Sequence, residues 1–245
     1  MELFFISLLL GALGFAAGIL GGVIGFGTTI ILIPPLVYFF GPLQTIPIVA
    51  IVATVANLSR VLLWWREIDW RVTFAYSAMA IPGVILGANT LVSLNARLIE
   101  MILGAFLILL IPIRRWMRKQ KMAVALWQMG LVGLGIGFLT GIVATTGAIN
   151  TPFFLAYGLS KGAFLGTEAA SSLSLFFTKG LVFHRLGVIN LTSIYQGLLI
   201  GACVFVGSLV SKRIVLSLPE KRFMQLMELV MLTSGILVLL MAFWG

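Results

Sequence analysis

The sequence predicts an all-α fold, a polytopic helical membrane protein of two repeats, inverted relative to each other, each opening with a broken or re-entrant helix pair. Three observations carry that expectation. The 245 residues are 61% hydrophobic and 9% charged, with a mean hydropathy of +1.17, a balance foreign to soluble globular domains. Apolar runs of membrane-spanning length recur along the whole chain and leave no room for a separate soluble domain. The two halves resemble each other at a spacing of 119 residues, with interruptions at corresponding points.

Residues 3–20 form the first apolar run. Its start, MELFFISLLLGALGF, has no basic region and carries Glu2, so it reads as a retained membrane segment rather than a cleaved signal. Gly21, Gly22, Gly25 and Gly27 then interrupt the run and permit turns and close backbone approach. Thr28 and Thr29 open a short apolar stretch, residues 30–40, which carries Pro34 and Pro35 and ends at the turn Gly41-Pro42. Residues 43–65 make a full-length span ending in Trp64 and Trp65. The mixed-charge loop of Arg66, Glu67, Asp69 and Arg71 lies beside Trp70, and tryptophans so placed mark a membrane interface. Residues 72–94 and 98–113 are the next spans, and the basic stretch 114–121 closes the first repeat, residues 1–121.

The second repeat, residues 122–245, follows the same plan. An apolar run at 123–143 meets the polar break ATTGAINTP at 144–152, and a short run continues to Leu159. Spans follow at 163–183, 191–210 and 223–244, with Lys212, Arg213, Lys221 and Arg222 between the last two. Aligned without gaps, Tyr38 falls on Tyr157, Arg60 on Lys179, Arg66 on Arg185, Thr73 on Thr192 and Tyr76 on Tyr195. Upstream, Gly14, Phe15 and Gly18 match Gly137, Phe138 and Gly141, with a deletion inside the second break. Together the repeats make one membrane domain.

Orientation follows from length and charge. The first run and the short stretch that Thr28 opens would together make about 46 Å of helix, too long for one crossing of a core about 30 Å thick. The opening element is therefore two segments or a hairpin returning to its own side. Either gives each half an odd number of crossings and so inverts the halves. With both termini outside, Arg66, Arg71, the basic stretch 114–121, Lys161 and the four basic residues between the last spans face the cytoplasm, as the positive-inside rule asks. The expected location is the cell's inner, or plasma, membrane.

A helix satisfies its own backbone in lipid, so a break at membrane depth survives only where protein or a water-filled cavity covers the freed groups. Interrupted segments at corresponding positions of two halves point to a transporter binding site near the midplane. A helix beginning at Thr28, and another beginning about Thr151, would present unpaired N–H groups and a positive dipole end, both of which favour an anion. Gly25, Gly27 and Gly147 would let the backbone approach it. Thr28, Thr29, Thr145, Thr146, Asn150 and Thr151 would add hydroxyl and amide donors, or else satisfy freed backbone themselves.

Arg60 and Lys179 are cations inside spans, where a charge must face a partner, a cavity or the interface. Arg60 is near enough to its span end to reach the interface. Equivalent positions in the two halves instead place both charges about a pseudo-twofold axis, suited to holding an oxyanion. Asn57 lies one turn before Arg60 on the same face and could orient it. Glu168 and Glu228 are carboxylates within spans, which can carry protons across membranes; alternatively Glu168 reaches Lys161 and Glu228 approaches Arg222. Ser171 and Ser172 read as helix-packing residues.

The string GFGTTIILIPPL, residues 25–36, resembles the first-repeat signature of the TauE/SafE sulfite exporter family, with Gly25, Gly27, Pro34 and Leu36 at the pattern's positions. In the second half, GFLTGIVATTGAINTPFF, KGAFLGTEAASS and LFFTKGLVFHRLGVI resemble the second repeat, including the spacing of Lys161, Phe164 and Thr167. Thr28 and Thr29 stand where many members have glycine, and the second cluster keeps only Gly147. The resemblance spans nearly the whole chain and implies transport of sulfite or another small sulfur-containing anion.

Other classes find little support. The net charge of +9 sits in short runs between apolar segments, the pattern of loops facing anionic lipid, so no nucleic-acid partner is expected. One histidine and one cysteine, Cys203, exclude an intrachain disulfide and offer no metal cluster or catalytic constellation, and no nucleotide-binding loop appears. The expectation is a non-enzyme without cofactor or metal, driven by gradients, whose partners are a small anion and membrane lipid. Monomer and homodimer are both open. The competing reading is a membrane scaffold, which would need neither intramembrane charge nor aligned breaks.

Overall fold

The computed structural model describes residues 2–95, 123–143, 146–159 and 161–215, with isolated positions between 98 and 116 and residues 232, 236 and 240. The basic residues of the stretch 114–121, most of the expected span 223–244 with Glu228, and Thr145 lie outside the described residues. Every described element is helical: α1 (Glu2–Ile24), α2 (Gly27–Trp64), a single 3-10 turn (Trp65–Glu67), α3 (Trp70–Val92), α4 (Leu126–Ile142), α5 (Gly147–Ala156), α6 (Lys161–Arg185) and α7 (Leu191–Val215).

The first break is narrower than the glycine run suggests. Gly21 and Gly22 are helical, and only Gly25 and Phe26 separate α1 from α2. Gly21 leaves space rather than a turn: a Cβ there would fall 1.8 Å from Thr28 Oγ1, and the Thr28 hydroxyl donates back to the Ala17 carbonyl at 3.2 Å. Two helix ends are thereby stapled across the break. Within α2 the backbone departs from helical geometry at Gly41 (φ 73°, ψ 167°). Pro42 follows, where a missing N–H costs nothing at a helix start. The first arm, residues 27–40, is about 21 Å long and crosses only part of a bilayer core, while the second arm, residues 42–64, reaches about 35 Å.

The second break also differs from expectation. α4 ends at Ile142 and α5 begins at Gly147, so the half-helix starts four residues before Thr151. Thr151 Oγ1 donates to the Gly147 carbonyl at 3.0 Å, the i−4 bond of a residue already in a helix. At 10 residues, α5 is about 15 Å long and spans half the core.

Helix pairs approach closely along glycine seams. α1 packs on α7, and α3 packs on α4. A Cβ at Gly18 would fall 2.3 Å from the Val204 carbonyl oxygen, and one at Gly137 would fall 2.3 Å from that of Ala80. From the opposite sides, Gly207 meets the Phe15 carbonyl and Gly87 the Phe138 carbonyl. Without a hydrophobic drive between helices in lipid, such backbone contact supplies the packing energy. Against these seams, α2 lies between α1, α6 and α7.

Stretches long and apolar enough to cross a membrane are Gly27–Glu67, Trp70–Leu91 and Leu191–Ser211, with shorter apolar helices at Leu8–Val23 and Leu126–Ile142. Leu86, Phe177, Leu131 and Leu198 lie on the outside of the bundle, as a surface solvated by lipid requires. α6 is not among these stretches, because it carries Lys161, Glu168, Lys179, His184 and Arg185. The helix least suited to lipid is the one that reaches the interior of the bundle.

Candidate functional site

The two breaks touch. A Cβ at Gly147, the first residue of α5, would fall 2.4 Å from Phe26 Cβ, the residue before α2. Neither helix N-terminus has a side-chain cap. Beside this junction lies a cavity of about 20 Å³, room for about one water. Gly25, Phe26, Thr28 and Thr29 form one wall and Gly147 another. The second arm of α2 contributes Asn57 and Arg60, with Ala53 and Ala56 below them, and α6 contributes Glu168, Ser172 and Phe176.

Arg60 is 5% exposed and Glu168 1%. Arg60 Nη1 donates to Glu168 Oε2 at 2.7 Å, and Nη2 donates to Asn57 Oδ1. Asn57 is held in turn by its own amide, which donates to the Ala53 carbonyl at 2.7 Å. On the carboxylate's other side, Ser172 Oγ donates to Glu168 Oε1 at 2.6 Å. Burying two charges this deeply is costly, and the mutual attraction offsets the cost only when the remaining lone pairs and donors are also met. Here Asn57 takes a further guanidinium donor and Ser172 serves the second carboxylate oxygen. Gly25 closes the roof with φ +97°, a conformation that L side chains rarely adopt; a Cβ there would fall 3.0 Å from Arg60 Nη1 and 3.8 Å from Glu168 Oε2.

Lys179 is not on this cavity, contrary to the expectation that it stands with Arg60. Its ammonium, 1% exposed, donates to the Thr140 carbonyl at 2.6 Å and the Val143 carbonyl at 2.9 Å, and lies 5.4 Å from the Phe183 ring centre. Those carbonyls belong to the end of α4, where helix geometry leaves acceptors without partners. Each cation thus sits at the break of its own half, but Arg60 faces a carboxylate and Lys179 faces bare carbonyls. Glu168, in turn, reaches Arg60.

Of the sequence candidates, Gly25, Thr28, Thr29, Asn57, Arg60, Gly147 and Glu168 come together on the cavity. Gly27 is buried in the first turn of α2, outside the lining. Thr146 shares a hydrogen bond with Thr140, and Asn150 Oδ1 accepts from the buried Tyr76 hydroxyl at 2.7 Å. Asn150 Nδ2 has no hydrogen-bond partner among the described residues. Ser172, Phe176 and Phe26 went unrecognised as lining residues. For Ser172 a signal existed, since it stands one helical turn after Glu168 on the same face.

The model of the sulfite exporter TauE/SafE family matches residues 10–238. No curated protein matches the chain, and no solved structure matches it. With helix breaks meeting over a buried arginine, and a family match over most of its length, this chain belongs to the TauE/SafE family of sulfite exporter-type membrane transporters.

Proposed function

We propose that the chain is a multi-pass secondary transporter of the plasma membrane that carries a small sulfur-containing oxyanion, sulfite- or sulfonate-like, and leaves it chemically unchanged. The carrying observation is Arg60, a guanidinium buried where both helix breaks converge. Its planar fork suits two oxygens of a sulfur oxyanion. Thr28 and Thr29 supply hydroxyls and the uncapped N-termini of α2 and α5 supply N–H groups and positive dipole ends.

Transport proceeds by alternating access between two inverted repeats. Two features support this reading. α1 of the first half packs on α7 of the second, and α4 of the second packs on α3 of the first, so each half lends its opening helix to the other. Gly18 and Gly141, matched in sequence, both lie in these seams. The cavity has room for about one water, so in this reading the halves part to admit an oxyanion. Lys179 then serves as a clamp on the end of α4 rather than as an anion ligand.

Purified chain in proteoliposomes, loaded with unlabelled anion and offered radiolabelled sulfite or thiosulfate, tests the reading, with sulfoacetate and taurine as competitors. Saturable counterflow of at least one sulfur anion is expected. Liposomes with the protein that exchange none of the four faster than empty liposomes would overturn it.

A further inference from the structure

The ion pair at the site bears on what travels with the anion, an inference that rests on the anion site proposed above. We infer that Glu168 is the substrate's rival for Arg60, and that one proton binds Glu168 each time an oxyanion takes its place, so that anion and proton move together.

Three observations carry this. Glu168 Oε2 already occupies Arg60 Nη1 at 2.7 Å, and the cavity beside them has room for about one water. An oxyanion that takes Nη1 therefore displaces the carboxylate. Secondly, the charges sum to zero as they stand. An anion added to the intact pair would leave net negative charge in a buried site, with like charges sharing it; protonating Glu168 first leaves Arg60 as a lone cation that neutralises a monoanion and halves the excess charge of a dianion such as thiosulfate. Thirdly, Ser172 Oγ can serve either state of Glu168. It donates to the carboxylate at 2.6 Å, and its lone pairs can accept from the carboxylic acid O–H.

The other groups around α6 leave Glu168 as the carboxyl of the site. α2 presents Arg60 and Asn57, and α3 presents Tyr76, whose hydroxyl is spent on Asn150 Oδ1. α5 presents Gly147, with Asn150 bonded to Tyr76. Glu67 abuts Gly162, and Asp69 is held through its backbone N–H on Thr167 Oγ1 at 2.8 Å; neither lines the cavity. Lys179 stands about 16 Å further along α6. The step breaks the Arg60–Glu168 bond, forms a carboxylic acid with a proton given up by hydronium or buffer acid in the medium, and gives Arg60 Nη1 to the anion while Nη2 keeps Asn57.

Titration calorimetry of the full purified chain with thiosulfate, which holds no proton near neutral pH, tests it in buffers of differing ionisation enthalpy. Uptake of about one proton per anion is expected, with affinity falling up to tenfold per pH unit as the medium becomes alkaline. Glu168→Gln should bind thiosulfate with no proton uptake and no pH dependence. Parent binding without proton uptake, or uptake that persists in Glu168→Gln, overturns the coupling while leaving the anion site standing if Arg60→Gln still weakens binding at least tenfold. Binding indifferent to Arg60→Gln as well overturns both. The parent measurement stands alone should Glu168→Gln fail to fold.

Discussion

Arg60 Nη1 lies 2.7 Å from Glu168 Oε2, joining residues 108 positions apart and tying the second arm of α2 to α6. Removing either partner strands the other charge in the interior, a loss of about 3–5 kcal/mol for buried pairs, whereas replacing both with apolar residues of similar size can be neutral. Glu168→Met is therefore expected to lower the unfolding temperature in detergent. Arg60→Met with Glu168→Met should restore it while transport stays lost. A double variant no more stable than the single would show that the pair does not hold these helices together.

Lys179 offers the contrasting case. Lys179→Met leaves the Thr140 and Val143 carbonyls without their donor, a penalty of about 1–3 kcal/mol for a buried unsatisfied group. Thermal unfolding should come earlier, with thiosulfate affinity within about twofold of the parent. A large loss of affinity at unchanged stability would return Lys179 to the anion.

At Gly25 the constraint is backbone. Gly25→Ala must hold φ +97° with its methyl 3.0 Å from Arg60 Nη1, a strain of about 1–2 kcal/mol, and flux should fall roughly tenfold. Gly135→Ala, in α4 with nothing within 4 Å of its added methyl, should transport normally and gain about 0.5–1 kcal/mol. Equal flux in both variants would mean that Gly25 has no bearing on the site.

Topology can be read chemically. In a Cys203→Ser background, a cysteine at Leu186, exposed between α6 and α7, should react with an impermeant maleimide from outside. One at Gln120, in the basic stretch, should not. Equal labelling would contradict the inverted arrangement.

How much of this was legible beforehand depends on the range of the interaction. The helix breaks, the turn at Gly41 and the shared face of Asn57 and Arg60 follow from local chemistry: glycine's freedom, proline's missing N–H and the helical repeat. The partner of Arg60 was not legible, because periodicity tells which face a residue occupies but not which helix packs there. Nor was the divergence of Arg60 and Lys179. Matched positions give them matched surroundings, yet a lysine's compact ammonium settles on two helix-end carbonyls while an arginine's fork reaches a carboxylate and an amide together. The second half-helix was placed too late because Asn150, Thr151 and Pro152 look like a loop in sequence. They lie inside α5 once Gly147 has begun it.

Equilibrium binding of sulfite and thiosulfate to the purified chain bears most directly on the anion site. A charge-assisted hydrogen bond contributes on the order of 1.5–3 kcal/mol, so Arg60→Gln should weaken binding roughly tenfold to a hundredfold. Arg71→Gln, exposed at the start of α3, should bind like the parent. Undiminished binding by folded Arg60→Gln would contradict the site.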